Sequence, residues 1–165
     1  MKLSKKEALL FERISNDIIQ KEAFLEMKNY LQHGSISTYE HSLNVSHCSL
    51  YLMKRLHLKG DEISLIRGAL LHDLFLYDWH EKDETHRWHG FHHPKKAHDN
   101  ALIHYEINAL EKEIILSHMW PLTFRSFPKR KEAMIVCIAD KIVSTMETIH
   151  IQYKREKEKN NEYKL

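Results

Sequence analysis

Glycine and proline are scarce in this chain, with only four and three among 165 residues. A β protein rich in tight turns needs both at its corners, so the scarcity disfavours one and points to long helices. Cysteine is scarcer still. Cys48 and Cys137 lie inside apolar patterns with no CxxC partner, and read as two small buried hydrophobes in a reducing compartment rather than as a staple. Charge of one sign is lacking too. Lys and Arg total 25 against 23 Asp and Glu, a net charge of +2, which gives a dedicated nucleic-acid binder no electrostatic footprint. No apolar run approaches the ~18 residues of a membrane span. The basic residues of Met1–Glu7 lead into no signal-peptide core. The expectation is a cytoplasmic chain with no membrane and no nucleic-acid polymer among its partners.

What is abundant is histidine. Fourteen are spread from His33 to His150, so they are no terminal tag. Histidine is the commonest protein metal ligand and also moves protons, so the excess raises the expectation of a metal site. Length and an ordinary globular composition fit one domain, residues 1–165, able to bury a core without disulfides.

The apolar periodicity predicts an all-α, compact single-domain bundle of about six or more helices. The first helix is expected over Lys5–Ser15 and the second over Asp17–Leu31, closed by Gly34 as a left-handed C-cap. Ser37-Thr38-Tyr39-Glu40 fits a capping box and starts a helix to about Leu56. Asp61 is the expected N-cap of a helix to about Tyr77. Residues 78–92, rich in His, Trp and charge without a period, read as an ordered loop or lid. Pro94 suits the first turn of a helix to about Leu110. A short helix from Glu111 and a long one from Pro128 to about Tyr153 follow. Residues 154–165 alternate in charge as a solvated extension or tail.

Candidate ligands fall next to apolar sequence. His41, Val45, Cys48 and Leu52 occupy i, i+4, i+7 and i+11, so His41 points inward with a helix's apolar face. His72-Asp73 ends the run Ile63, Leu65, Ile66, Ala69, Leu70, Leu71. Burying two such polar groups is costly without partners, and a first-row divalent ion is one partner that suits both. Neighbours on a helix diverge by about 100°, so both reach one ion only at a helix end or bend. Asp140 lies inside Met134–Val143, apolar enough to be buried all round; it needs either a salt bridge or a metal. His93 precedes Pro94, and His118 follows Ile114, Ile115 and Leu116.

The order of Tyr39-Glu40-His41-Ser42-Leu43, Ala69-Leu70-Leu71-His72-Asp73-Leu74, His93-Pro94-Lys95-Lys96-Ala97, Ile115-Leu116-Ser117-His118 and Ile138-Ala139-Asp140-Lys141 resembles the HD superfamily of metal-dependent phosphohydrolases. The resemblance spans about residues 37–147. It implies that His41, His72, Asp73 and Asp140 hold a first metal. It also implies that His93 and His118 match the extra histidines of binuclear members, with Asp73 bridging two ions. Two departures narrow the branch. Many signalling phosphodiesterases of the family carry a second His where this chain has Met119, and continue the pair as HDIGK where this chain has Leu76.

The expected function is hydrolysis of a phosphoester or phosphoanhydride in a nucleotide or related small phosphorylated substrate by a metal-activated water. The cofactor is a divalent transition metal, two ions of Fe, Mn or Zn, with Asp73 and His72 at the catalytic centre. Lys95, Lys96, Arg67, Arg125 and Lys141 are candidate phosphate-holding cations. Asp78, His80 and His89 are candidate proton donors at the entrance. A non-catalytic nucleotide-binding regulatory module and a di-iron oxygenase on the same scaffold are the alternatives, and oligomeric state is open.

Overall fold

Ser4 opens the chain's first helix by a reciprocal cap: its hydroxyl accepts from the Glu7 amide, and the Glu7 carboxylate accepts from the Ser4 amide at 2.7 Å. The structure is a computed structural model and describes residues 1–78 and 89–162. Helix α1 covers Lys5–Ile19, α2 Glu22–Glu26, α3 Thr38–Arg55, α4 Glu62–Leu71, α5 His89–His104, α6 Ala109–Ser117 and α7 Lys131–Glu162. A hairpin of β1, Leu31–His33, and β2, Ile36–Ser37, precedes α3. The fold is thus all-α but for two short strands. No helix among the described residues is long and apolar enough to cross a membrane.

The largest departure from the sequence expectation lies before α3. The apolar stripe of Asp17–Leu31 does not make one helix. Lys21 takes an extended backbone, φ −74° and ψ 142°, which divides the stripe between α1 and α2. The break lets Ile18, Phe24 and Met27 all enter one core cluster from different directions. Gly34 does adopt the left-handed conformation expected, φ +59°, but in the hairpin turn rather than at a helix end.

Two predicted caps before α3 and α4 are formed. Ser37 and Glu40 make the reciprocal cap of α3, and Asp61 accepts from the Ser64 amide at 3.0 Å to open α4. A third, Asn108 with Glu111, opens α6 and escaped the sequence reading. Helix α4 ends at Leu71, well short of Tyr77, and Leu76 takes φ +53°. Helix α5 begins at His89, so Pro94 falls inside it and not in its first turn, and it stops at His104.

Helix α4 is the axle of the bundle. Its Ile66, Leu70 and Leu71 belong to a cluster with Ile18, Phe24, Leu50, Ala97 and Ile115. Its Leu65 and Ala69 belong to a second cluster with Val45, Cys48, Ile114, Val136, Ala139 and Val143. Each fully buried aliphatic side chain contributes about 1.5–3 kcal/mol. An apolar face on nearly every side is what fixes α4 between α1, α3, α6 and α7. The approach to α6 is especially close. A Cβ placed on Gly68 would meet Ile114 at 2.7–3.0 Å. One turn beyond these two residues stand His72 and His118, so the Gly68–Ile114 contact sets the spacing of two candidate ligands.

Candidate metal centre

Helices α4 and α6 end alike. His72 caps the first with φ −60°, ψ −31°, and His118 caps the second with φ −60°, ψ −28°. Each ring gives its Nδ1 proton to the carbonyl three residues back: His72 to Ala69 at 2.7 Å, His118 to Ile115 at 2.8 Å. These bonds satisfy carbonyls that a helix end otherwise leaves without partners. They also fix the tautomer, so that in the neutral ring Nε2 carries the lone pair. Because α4 stops at Leu71, Asp73 turns out of the helix, and the adjacent pair reaches the same space.

Three more helices face that space. His41, fully buried on α3, places Nε2 3.2 Å from Asp140 Oδ1 and 3.7 Å from Asp73 Oδ2. Asp140 comes from the inner face of α7. His93 comes from α5, its ring edge-on to Phe75 at 5.9 Å between centroids, and its Nε2 is 2.8 Å from His118 Nε2. Asp73 stands between the two groups. Its Oδ2 is 3.3 Å from His72 Nε2, while its Oδ1 is 3.2 Å from His93 Nε2 and 3.4 Å from His118 Nε2.

Two sets of ligand atoms each fit within 4.8 Å of one another: His41, His72 and Asp140, and His72, Asp73 and His118. The donor set suits a first-row divalent ion. Two of its atoms favour one. Among the described residues, His72 Nε2 and Asp73 Oδ1 are buried and make no well-aligned hydrogen bond. Such an orphan costs about 1–3 kcal/mol, more when charged. A cation among these atoms would satisfy both.

The electrostatics of the two sets differ. Burial pulls the His41 imidazole down, but hydrogen bonds from Asp140 and Glu147 and the charge of Asp73 outweigh it and raise its pKa to about 10. Burial opposes ionisation of Asp140, yet its bond to His41 and the neighbouring histidines hold it below the usual carboxylate range. Asp73 behaves likewise, with His72, His118 and His93 overcoming its burial. His118 goes the other way. Burial dominates and lowers it to about 4, so it is neutral at physiological pH.

Three residues near the centre escaped the sequence reading. Glu147 accepts from His41 Nδ1 at 2.9 Å and from Asn44 Nδ2 at 3.0 Å. Gln32, on β1, donates to Asp73 Oδ2 at 2.8 Å. Glu147 left a signal, since it lies two turns after Asp140 on the same face of α7. Gln32 left none, because it falls just past the helix expected over Asp17–Leu31, where a C-cap and no strand was anticipated.

The candidate substrate-binding residues scatter. Lys141 is closest: its Nζ donates to the His118 carbonyl at 2.8 Å and lies 3.6 Å from Asp140 Oδ2. Lys95 and Lys96 are exposed on α5, Lys95 paired with Asp99 at 2.6 Å. Arg67 is committed elsewhere, clamping α4 to α6 through Glu111 at 2.6 Å and the Glu106 carbonyl at 2.8 Å. Arg125 is exposed between α6 and α7. Asp78 is half-buried, and its charge reaches Tyr30. His80, Trp79, Trp88 and the His89 side chain lie outside the described residues, as does most of the expected lid.

The model of the HD domain family matches residues 38–145, from the first residue of α3 to just past Asp140. No curated protein and no solved structure matched the chain. The matched segment contains every one of the six ligand candidates, His41, His72, Asp73, His93, His118 and Asp140. The chain therefore belongs to the HD domain family, a family of metal-dependent hydrolases.

Proposed function

We propose that this chain is a phosphohydrolase with two metal ions. It cleaves a phosphoester or phosphoanhydride bond of a small phosphorylated compound, a nucleotide by class. The observation that carries the reading is Asp73. Its two oxygens face opposite histidine groups, and one of them, Oδ1, is buried with no well-aligned hydrogen bond among the described residues. His41, His72 and Asp140 would hold one ion, His93 and His118 the other, and Asp73 both. Iron, manganese or zinc each suit this donor set.

When bound, the ions supply Lewis acidity, which lowers the pKa of water and offsets charge on phosphoryl oxygens. The rest falls to the chain. Asp73 and Asp140 stay ionised at neutral pH, so their charge holds cations and never a proton there. Lys141, tied to the His118 carbonyl, brings an ammonium beside the centre, where it suits an anionic substrate. Tyr77 remains a neutral phenol, because burial and the charge of Asp73 push its pKa to about 12. It therefore cannot act as a base at neutral pH. Overall, water adds across the P–O bond to release a phosphate and an alcohol, or two phosphates from an anhydride.

The test is a panel of nucleotides, dinucleoside polyphosphates and cyclic nucleotides offered to chain loaded with iron, manganese or zinc. Turnover of at least one, abolished by Asp73→Asn, is expected. Metal-loaded chain that hydrolyses no phosphorylated compound on the panel would overturn the proposal.

A further inference from the structure

Glu147 lies two residues beyond the segment that matches the family, and nothing in that match gives it a role. Its carboxylate is buried between α3 and α7, and both oxygens are used on α3. Oε2 is 2.9 Å from His41 Nδ1, and Oε1 accepts from Asn44 Nδ2 at 3.0 Å. His41 and Asn44 are neighbours three apart on α3, so one carboxylate grips two adjacent side chains of one face. Asp140, seven residues earlier on α7, faces the other ring nitrogen of the same histidine at 3.2 Å.

We infer that Glu147 is the positioning residue of the metal centre: it fixes the tautomer and ring plane of His41 so that Nε2 is presented as a ligand. The inference rests on the reading of His41 as a metal ligand. The physical reason is general. A ligating imidazole donates its second N–H to a partner, and a carboxylate there orients the ring and makes the ligand nitrogen more basic. The other histidines of the centre support this by contrast. His72 and His118 donate Nδ1 to main-chain carbonyls of their own helix ends. His41 stands inside α3, where the carbonyls of its own helix are taken by the helix ladder. Its anchor must come from another element, and α7 supplies it.

Asn44 gives the second carboxylate oxygen its partner. A glutamine at 147 can still accept from His41 through its one oxygen, with the Asn44 amide turned to receive its NH₂ group. A leucine at 147 fills similar space and accepts nothing.

The test titrates metal-free chain with cobalt(II) and follows the visible absorption of the bound ion. Wild type, Glu147→Leu, Glu147→Gln and His41→Ala are compared, and circular dichroism of each metal-free variant reports its fold. Glu147→Leu is expected to weaken binding about 10–100-fold and to change the absorption envelope at saturation. Glu147→Gln is expected to recover much of both. Leucine binding cobalt as wild type does, or glutamine as poorly as leucine, would overturn the inference. If Glu147→Leu does not fold, Glu147→Ala replaces it: weaker binding with an altered envelope supports the role, and binding as in wild type overturns it. His41→Ala separates the two levels. If removing His41 leaves cobalt stoichiometry, affinity and spectrum intact, the ligand reading has failed; if it removes one cobalt while Glu147→Leu changes nothing, only the positioning role has.

Discussion

On one side of Asp73, His41 is wedged between Asp140 and Glu147, with carboxylates at both ring nitrogens. On the other, His93 and His118 turn Nε2 atoms toward each other at 2.8 Å, and Asp73 Oδ1 is the carboxylate oxygen they share. The first side has carboxylates enough to hold a proton on His41 far above neutrality, its pKa raised to about 10. The second is ruled by burial, which lowers His118 to about 4. The same residue type, equally buried, is therefore pushed up on one side and down on the other. What differs is how many carboxylate oxygens each ring meets, and that count is set by which helices converge.

Removing the shared group should have the largest effect. Asp73→Ala takes a ligand from both sides, so hydrolysis is expected to fall on the order of a thousandfold or more. Metal content by elemental analysis should fall on both sides. Loss from one side alone would show that the carboxylate is not shared. His118→Ala comes next and should divide the sides: the ion count drops from two to one, and His41→Ala removes the other one. A count of one in wild type, unchanged by His118→Ala, would break the two-sided picture.

Proton release sharpens it further. At pH 7.5 His41 lies below its pKa of about 10 and carries a proton on both nitrogens. An ion taking Nε2 must displace one, so affinity on that side should rise as pH climbs toward 10. His118, far above its pKa of about 4, has no extra proton to lose, and its side should show no such rise across neutral pH. Calorimetry in two buffers of different ionisation heat, run on wild type and His118→Ala, measures this. Zero proton uptake by the buffer in both would refute the contrast. The smallest effect is expected from Gly68→Ala. The new methyl would meet Ile114 at 2.7–3.0 Å, costing about 1–3 kcal/mol in thermal unfolding. It should also move His72 from His118 and weaken both sides together.

The residues of the candidate centre were more legible in sequence than the segment before α3. His41, Asp73 and Asp140 declared themselves because a charged or polar residue in an apolar helix face needs an explanation, and the structure brings the three together. The caps at Ser37 and Asp61 were readable because N-cap chemistry is local. The hairpin was not. The apolar residues of Asp17–Leu31 read as one helix, yet the chain breaks at Lys21, and it is the break that brings Ile18, Phe24 and Met27 into one cluster. Missing the hairpin meant missing Gln32. Arg67 shows a different limit: a cation near the ligand pair in sequence is spent on Glu111, and only tertiary contacts reveal which acid claims it.

The matched endings of α4 and α6 tie the candidate centre to local helix stability. His72 and His118 take their orientation from bonds to carbonyls of their own last turns. A substitution that frays either last turn would therefore swing a ring away from Asp73 while leaving every candidate ligand in the sequence.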